Sequence, residues 1–313
     1  MTRLSPREVA PSGPVRGEVR LPPSKSYTNR ALVAAALASG TSRITAPSRS
    51  QDSNYMTGAL VALGVGITTK EGALDVAGTA GALTAPAKPI FVGNAGTTFR
   101  FLTAAAAIAA GEVTLTGDAQ MRARPIGDLC DALARAGVRV TSADGFPPVT
   151  VTGGSLEGGS VSVPGEKSSQ FLSALLLAAP YARTPMTITI TGELSSAPYV
   201  AMTLEVMRAF GARVEIPSPG TYVVDPSRRY RSAPYTVEPD ASSASYFLAA
   251  AAVTKGFVRI PGLSGRSLQG DVRFADTLVA MGCTLEEDPG ALALRGAALS
   301  GIDVDMNAMP DCV

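Results

Sequence analysis

Apolar residues in this chain gather into four runs that would be apolar on every face of a helix: ALVAAALASG (31–40), FLTAAAAIAA (101–110), FLSALLLAAP (171–180) and YFLAAAAV (246–253). A helix with no polar face belongs in an interior. Each run follows a turn of small and hydroxylated residues and leads, after a Gly or Pro, into a β-rich segment. The full copies are SKSYTNRALVAAALASGTSRIT (24–45), GNAGTTFRFLTAAAAIAAGEVTLTG (93–117), KSSQFLSALLLAAPYARTPMTITITG (167–192) and DASSASYFLAAAAVTKGFVRIPG (240–262). They recur about every 72 residues, and a fifth is expected to begin near residue 311.

A second, amphipathic helical pattern follows each copy and closes on glycine: SNYMTGALVALG, RPIGDLCDALARAG, YVAMTLEVMRAFG and VRFADTLVAMG. Apolar residues recur there at three and four positions, with the glycine where a left-handed cap is expected. Two strand-like runs come next, such as RVEIPSPG then TYVVD. The unit reads β-α-β-α-β-β, and the pattern predicts an α/β protein with buried parallel helices walled by sheets. A generic α/β sandwich with coincidental spacing is the plainer alternative. The polar, Pro-bearing stretch RRYRSAPYTVEPD (228–240) is the best candidate boundary.

With 313 residues, 46% hydrophobic and 17% charged, the chain suits two globular domains. A net charge of +1 gives no basic field, so neither nucleic acid nor an anionic membrane is an expected partner. The first twenty residues hold Arg3, Arg7, Glu8, Arg16 and Glu18 without a continuous apolar stretch, so no secretory signal is expected. Cys130, Cys283 and Cys312 are scattered, which fits a reducing cytoplasmic setting. Histidine is absent, which removes Ser-His-Asp and Cys-His catalysis and histidine-ligated metals. Acid–base work would then rest on Asp, Glu, Lys, Tyr or Cys.

The repeated turns carry the candidate chemistry. Ser24, Lys25 and Ser26 stand before the first helix, with Asn29 and Arg30 one turn in. Helix N–H groups and the dipole favour anions there, and Lys25 adds a full charge. Capping by Ser26 would explain the serines but would not need Lys25 and Arg30 together. In the second turn, Gly93 and Gly96 let a ligand approach the backbone beside Thr97 and Thr98. Arg122 and Arg124 precede a helix beside Pro125, and read equally well as solvated or as phosphate-gripping. Ser168, Ser169 and Gln170 offer three side-chain donors, and Ser195, Ser196 and Tyr199 follow the next strand. For both serine turns a cap and a phosphate cradle are equally good readings. Asp240, Ser242 and Ser243 read as a cap, while Asp311 reads as a cap or a carboxylate facing the same ligands.

Taken in order, SKSYTNRAL, GNAGTTFR, MRARPIGDL, SSQFLSALLLAAP, DASSASYFLAAAA, GDVRFAD and DVDMNAMPD closely resemble the 5-enolpyruvylshikimate-3-phosphate synthase family. The resemblance runs from about residue 9 to residue 311. It implies a two-domain enolpyruvyl transferase fold of repeated βαβαββ units. Residues 22–238 would form one complete domain, and 1–21 plus 239–313 an incomplete second one. Relatives would continue past residue 313 through a segment holding further catalytic groups. The implied activity moves the enolpyruvyl group of phosphoenolpyruvate to the 5-hydroxyl of shikimate 3-phosphate, without metal or cofactor, in a cytoplasmic monomer.

By motif, Lys25, Ser26, Arg30, Ser168, Ser169, Ser196, Tyr199 and Asp311 would bind shikimate 3-phosphate. Lys25, Gly96, Arg124 and Gln170 would bind phosphoenolpyruvate, with Lys25 and Asp311 catalytic and Asp311 taking the proton from the attacking hydroxyl. Pro23 stands where the family has glycine, and Ala197 where it often has lysine. Gly96 would leave room for the inhibitor glyphosate. Two rivals remain: a binding fragment that needs a further segment for turnover, and the sister transferase acting on UDP-N-acetylglucosamine. The sister resembles SGAKNA at the first turn and uses a loop cysteine, whereas Cys130 lies in a helical pattern.

Overall fold

The structure, a computed structural model, describes residues 13–286 and 288–313. Two compact units emerge. The larger comprises Pro22–Asp240 with Leu268–Gly270; the smaller comprises the described part of Met1–Leu21 with Ala241–Ser267 and Asp271–Val313.

The chain enters through β1 (Arg16–Glu18), then runs α1 (Lys25–Leu37), β2 (Ser39–Thr45), α2 (Gln51–Ala62), β3 (Gly66–Lys70) and β4 (Ala73–Thr79). The second round is β5 (Ile90–Phe91), α3 (Gly96–Ala106), β6 (Glu112–Thr116), α4 (Ala119–Arg122), α5 (Gly127–Arg135), β7 (Arg139–Ala143) and β8 (Phe146–Thr152). The third is β9 (Gly159–Pro164), α6 (Ser169–Ala178), β10 (Met186–Thr191), α7 (Ala197–Ala209), β11 (Val214–Ser218) and β12 (Thr221–Val224). Then come β13 (Pro234–Thr236), α8 (Ala241–Val253), β14 (Phe257–Pro261), α9 (Phe274–Ala280), β15 (Thr284–Glu286) and β16 (Ala291–Arg295).

These strands make four sheets of one pattern: β13-β2-β4-β3, β5-β6-β8-β7, β9-β10-β12-β11 and β1-β14-β16-β15. Each opens with a parallel pair and continues antiparallel. Parallel neighbours need a crossover; in the second and third sheets an Ala/Leu-rich helix provides it. The first sheet instead borrows its parallel edge from β13, far along the chain. The stretch expected to be a boundary therefore contains a strand, and Pro234 is tolerated because that strand lies at an edge.

In the larger unit the burial expected from the sequence is complete. Every residue of α1 from Tyr27 to Leu37 is buried, as are all of α3 except Arg100 and all of α6 except Gln170. The smaller unit differs: α8 buries Ala241, Ala244, Ser245, Leu248, Ala251 and Ala252 but leaves Tyr246 and Val253 exposed, because a single sheet packs in that unit. Near residue 311 a three-residue 3-10 turn, Pro310–Cys312, stands where a fifth helix was expected to start. No helix of the described residues is long and apolar enough to cross a membrane.

Sheets reach the ends of these helices through glycine. A Cβ on Gly78, Gly153 or Gly296 would lie 2.1 Å from the carbonyl oxygen of Ala38, Ala109 or Ala251 respectively. The three positions are equivalent in their units, each at or just after the inner strand β4, β8 or β16. At the same time β13 is tied to α7 by the Tyr235 hydroxyl, which donates to Glu205 Oε2 at 3.0 Å. Burial raises the Glu205 carboxyl above its ordinary value, partly offset by that hydrogen bond.

Two predictions follow from this packing. Gly153→Ala puts its Cβ against two helix-end carbonyls and should cost about 1–3 kcal/mol or more. Gly58→Ala, exposed within α2 with nothing within 4 Å, should instead stabilise by roughly 0.5–1 kcal/mol. Denaturant titration of both checks the ranking, and the opposite order refutes the close-approach account. For Glu205 the folded state binds the proton more tightly than the unfolded chain. Its contribution to stability is therefore fullest in acid and is lost as pH rises above the ordinary 4.5 through the raised value. Glu205→Gln keeps an acceptor for Tyr235 and should flatten that decline in melting curves taken from acidic to neutral pH. An unchanged profile refutes the assignment.

Candidate active site

The starts of α1, α3, α6 and α7 in the larger unit are joined by a short chain of contacts that also passes through α2. At α1 the cap is Ser24 rather than Ser26: fully buried, its Oγ accepts from Tyr27 N at 3.5 Å. Ser26 is left partly exposed. Lys25 is half exposed, with Nζ 3.2 Å from Asp52 Oδ2, and its backbone N–H donates to Asp240 Oδ2 at 3.4 Å. Asp52 also accepts from Thr98 Oγ1 through its backbone oxygen at 3.0 Å, which links the starts of α2 and α3.

Arg30 turns inward and is 1% exposed. Its Nε donates to Thr203 Oγ1 at 2.8 Å, its Nη1 to Ser26 O at 3.0 Å and its Nη2 to Tyr199 O at 3.0 Å. The guanidinium lies 5.2 Å from the Phe101 ring centroid and 5.8 Å from that of Tyr199. Burial pushes its pKa down to about 10, so it stays charged at neutral pH at a desolvation cost.

The start of α3 has no side-chain cap, so its first N–H groups remain available to a ligand. A Cβ on Gly96 would sit 2.7 Å from Arg124 Nη1 and 2.9 Å from Arg100 Nη1, so both guanidiniums cover this glycine. Arg100 Nη1 donates to Gln170 Oε1 on α6 at 2.8 Å, and its guanidinium lies 5.4 Å from the Phe171 ring centroid. Burial, with Arg124 nearby, lowers the Arg100 pKa to about 10. At α6, Ser168 caps by accepting from Gln170 N at 3.2 Å, and Ser169 is buried. Ser196 begins α7 with a left-handed φ of 55° and without a side-chain cap bond; its Oγ is 3.5 Å from Ser195 Oγ.

The structure thus brings Lys25, Ser26, Arg30, Tyr199 and Ser196 together through Arg30 and α7, and Gly96, Arg124 and Gln170 together through Arg100. Ser168 and Ser169 share the helix start that carries Gln170. Arg122 turns away, donating from Nε to Gly117 O at 3.1 Å. Pro125 lies two residues before α5, which starts at Gly127. Asp311 belongs to the smaller unit. Asp52, Arg100 and Thr203 were missed by sequence reasoning. Arg100 did leave a signal, because a lone arginine one turn into an otherwise apolar buried helix has to be there for its charge.

Equivalent positions make equivalent contacts. Arg30, Arg100 and Gln170 each stand two residues before a leucine (Leu32, Leu102, Leu172) in their own helices. Arg30 lies on Phe101 of the next unit and Arg100 on Phe171 of the one after. Among the described residues, Arg30, Arg100 and Arg124 make no ion pair. The starts of α3 and α7, without side-chain caps and beside these guanidiniums, have the chemistry to receive anions. No group of three or more His, Cys, Asp or Glu able to hold a metal occurs among the described residues.

Repeated βαβαββ units presenting such helix starts define the enolpyruvyl transferase class of fold. The comparisons narrow it. The family described as EPSP synthase (3-phosphoshikimate 1-carboxyvinyltransferase) matches residues 9–313. The 3-phosphoshikimate 1-carboxyvinyltransferase of Shewanella denitrificans is 46% identical over 303 residues, covering 95% of this chain and 71% of that protein. Its counterpart in Edwardsiella ictaluri is 47% identical over 307 residues, covering 95% and 72%. The solved EPSP synthase of Acinetobacter baumannii superposes with a TM-score of 0.81 at 25% identity, covering 96% of this chain and 70% of that one. The chain belongs to the EPSP synthase family.

Proposed function

We propose that the four helix starts of the larger unit hold the two anionic substrates of enolpyruvyl transfer, phosphoenolpyruvate and shikimate 3-phosphate. The 5-hydroxyl oxygen of shikimate 3-phosphate adds to C2 of phosphoenolpyruvate while C3 takes up a proton. Loss of a C3 proton and cleavage of the C–O bond to phosphate then release phosphate and leave the enol ether. Two polyanions repel when brought side by side, so cations and helix ends must offset that repulsion before orientation can contribute to the rate.

The carrying observation is that Arg30, Arg100 and Arg124 lie at or against these helix starts and, among the described residues, make no ion pair. In this reading Lys25, Ser26, Arg30, Ser168, Ser169, Ser196 and Tyr199 bind shikimate 3-phosphate. Lys25, Gly96, Arg124 and Gln170 bind phosphoenolpyruvate, and Arg100 orients Gln170 through their 2.8 Å hydrogen bond. Asp311 takes the proton from the attacking hydroxyl, on the family resemblance. The same reading places the protein on the route to chorismate, as a monomer in the cytoplasm.

Mixing the chain with both substrates and following phosphate release tests the activity, and calorimetric titration with shikimate 3-phosphate tests the site itself. Arg30→Met should weaken shikimate 3-phosphate binding roughly a hundredfold; unchanged binding overturns the assignment. Gly96→Ala places a methyl group among the guanidinium ends. It should raise the KM for phosphoenolpyruvate, and the glyphosate concentration needed for half inhibition, by roughly tenfold or more. Parent-like values for both would remove Gly96 from the pocket.

A further inference from the structure

Arg30 is the most deeply buried cation of the site, and its direction is not set by another charge. A guanidinium has five N–H donors. Three are used, by Thr203 Oγ1, Ser26 O and Tyr199 O, which leaves one N–H on each terminal nitrogen. Two of the three acceptors lie side by side: Thr203 Oγ1 is 2.9 Å from Tyr199 O, one turn earlier in α7. The Nε and Nη2 edge therefore docks onto a ready-made fork. Thr203 Oγ1 is also 2.9 Å from Ser173 Oγ on α6, and Thr203 and Ser173 are both 0% exposed. Water cannot substitute for that hydroxyl readily, and among the described residues no carboxylate makes an ion pair with Arg30.

We propose that Thr203, backed by Ser173, is a positioning residue for substrate binding: it fixes the rotation of the Arg30 guanidinium so that the two remaining N–H groups face the anionic group of shikimate 3-phosphate. The inference rests on the reading that Arg30 binds that substrate. Backbone and ring contacts restrain the guanidinium's position, but Thr203 supplies the one acceptor for Nε. Without it a buried Nε–H is left unpaired, and the side chain gains by turning to seek another partner. A second serine-type hydroxyl beside it limits how far the Thr203 side chain itself can rotate.

The test is calorimetric titration of shikimate 3-phosphate into the parent chain, Thr203→Val, Thr203→Ser, Arg30→Lys and the Arg30→Lys/Thr203→Val double variant. Thr203→Val should bind roughly tenfold to a hundredfold more weakly, while Thr203→Ser stays near the parent. In the Arg30→Lys background, where Nε no longer exists, adding Thr203→Val should change affinity by less than about twofold. A merely structural role would carry the same loss into that background and would overturn the proposal, as would parent-like binding by Thr203→Val. If Thr203→Val fails to fold, Ser173→Ala decides: a smaller weakening that vanishes beside Arg30→Lys supports the proposal, and an undiminished or absent one overturns it. Arg30→Lys binding at parent strength overturns the underlying reading and the inference together.

Discussion

A full positive charge lies inside the larger unit, and among the described residues no carboxylate pairs with it; the arrangement around it depends on keeping it there. Burying an unpaired guanidinium is costly, and Arg30 responds with a pKa lowered to about 10 rather than with an ion pair. Neutral acceptors and ring faces hold it instead: Ser26 O from α1, Phe101 from α3, Tyr199 and Thr203 from α7. Those partners come from three different rounds of the repeat. Ser26 O is one turn away in the same helix, but Phe101, Tyr199 and Thr203 reach Arg30 only when the rounds have closed around one another, so most of what holds the charge comes with the completed unit. A carboxylate partner would make the fold more comfortable and the site less useful, because an incoming anion would have to displace it. A preformed field spends its reorganisation cost during folding.

Closure of that kind requires helices that approach one another and their sheets closely. Alanine and glycine supply the clearance. Uniform burial of α1, α3 and α6 removes any polar face that would force one of them to the surface. Gly78 and Gly153 let the inner strands of the first two sheets pass within contact distance of a helix-end carbonyl. With the C-terminal ends of α1 and α3 shut in this way, the polar ends of these two helices are their starts. Borrowing β13 completes the first sheet's parallel edge without a further crossover helix. Composition that looks monotonous in sequence is therefore what lets the helix starts meet.

Most of the architecture was legible because the repeat is long, regular and punctuated by glycine, so each copy corroborated the others. The helix starts were legible for the same reason: hydroxyls, glycines and cations recurred at matching places. What escaped notice lies outside that periodic signal. Asp52 sits at the unremarkable start of α2, and only folding sets its carboxylate 3.2 Å from Lys25. Thr203 looks like any polar residue tolerated in an amphipathic helix, since its hydroxyl can satisfy itself on Tyr199 O. Capping moved from Ser26 to Ser24 because the helix begins at Lys25, six residues before the apolar run that starts at Ala31. The stretch 228–240 does end where the larger unit's main segment ends, at Asp240, but the strand inside it was not legible because edge strands share their prolines and polar residues with linkers.

The repeat also explains why the site carries unequal charges. Arg30 on Phe101 and Arg100 on Phe171 are the same contact made twice, at 5.2 and 5.4 Å, one step apart around the three rounds. A third step would place a cation at 170 against residue 31. The chain has Gln170 and Ala31 there, so neither the charge nor the ring is present. Three buried guanidiniums on one axis would repel at short range in a medium that screens poorly. Glutamine breaks the pattern and turns its acceptor to Arg100 Nη1, converting a repulsive position into a 2.8 Å hydrogen bond. Strict symmetry would have offered three similar half-sites. Breaking it at one position distinguishes the surroundings of Arg30 from those of Arg100, which is what two chemically different anions require of a surface built from one repeated unit.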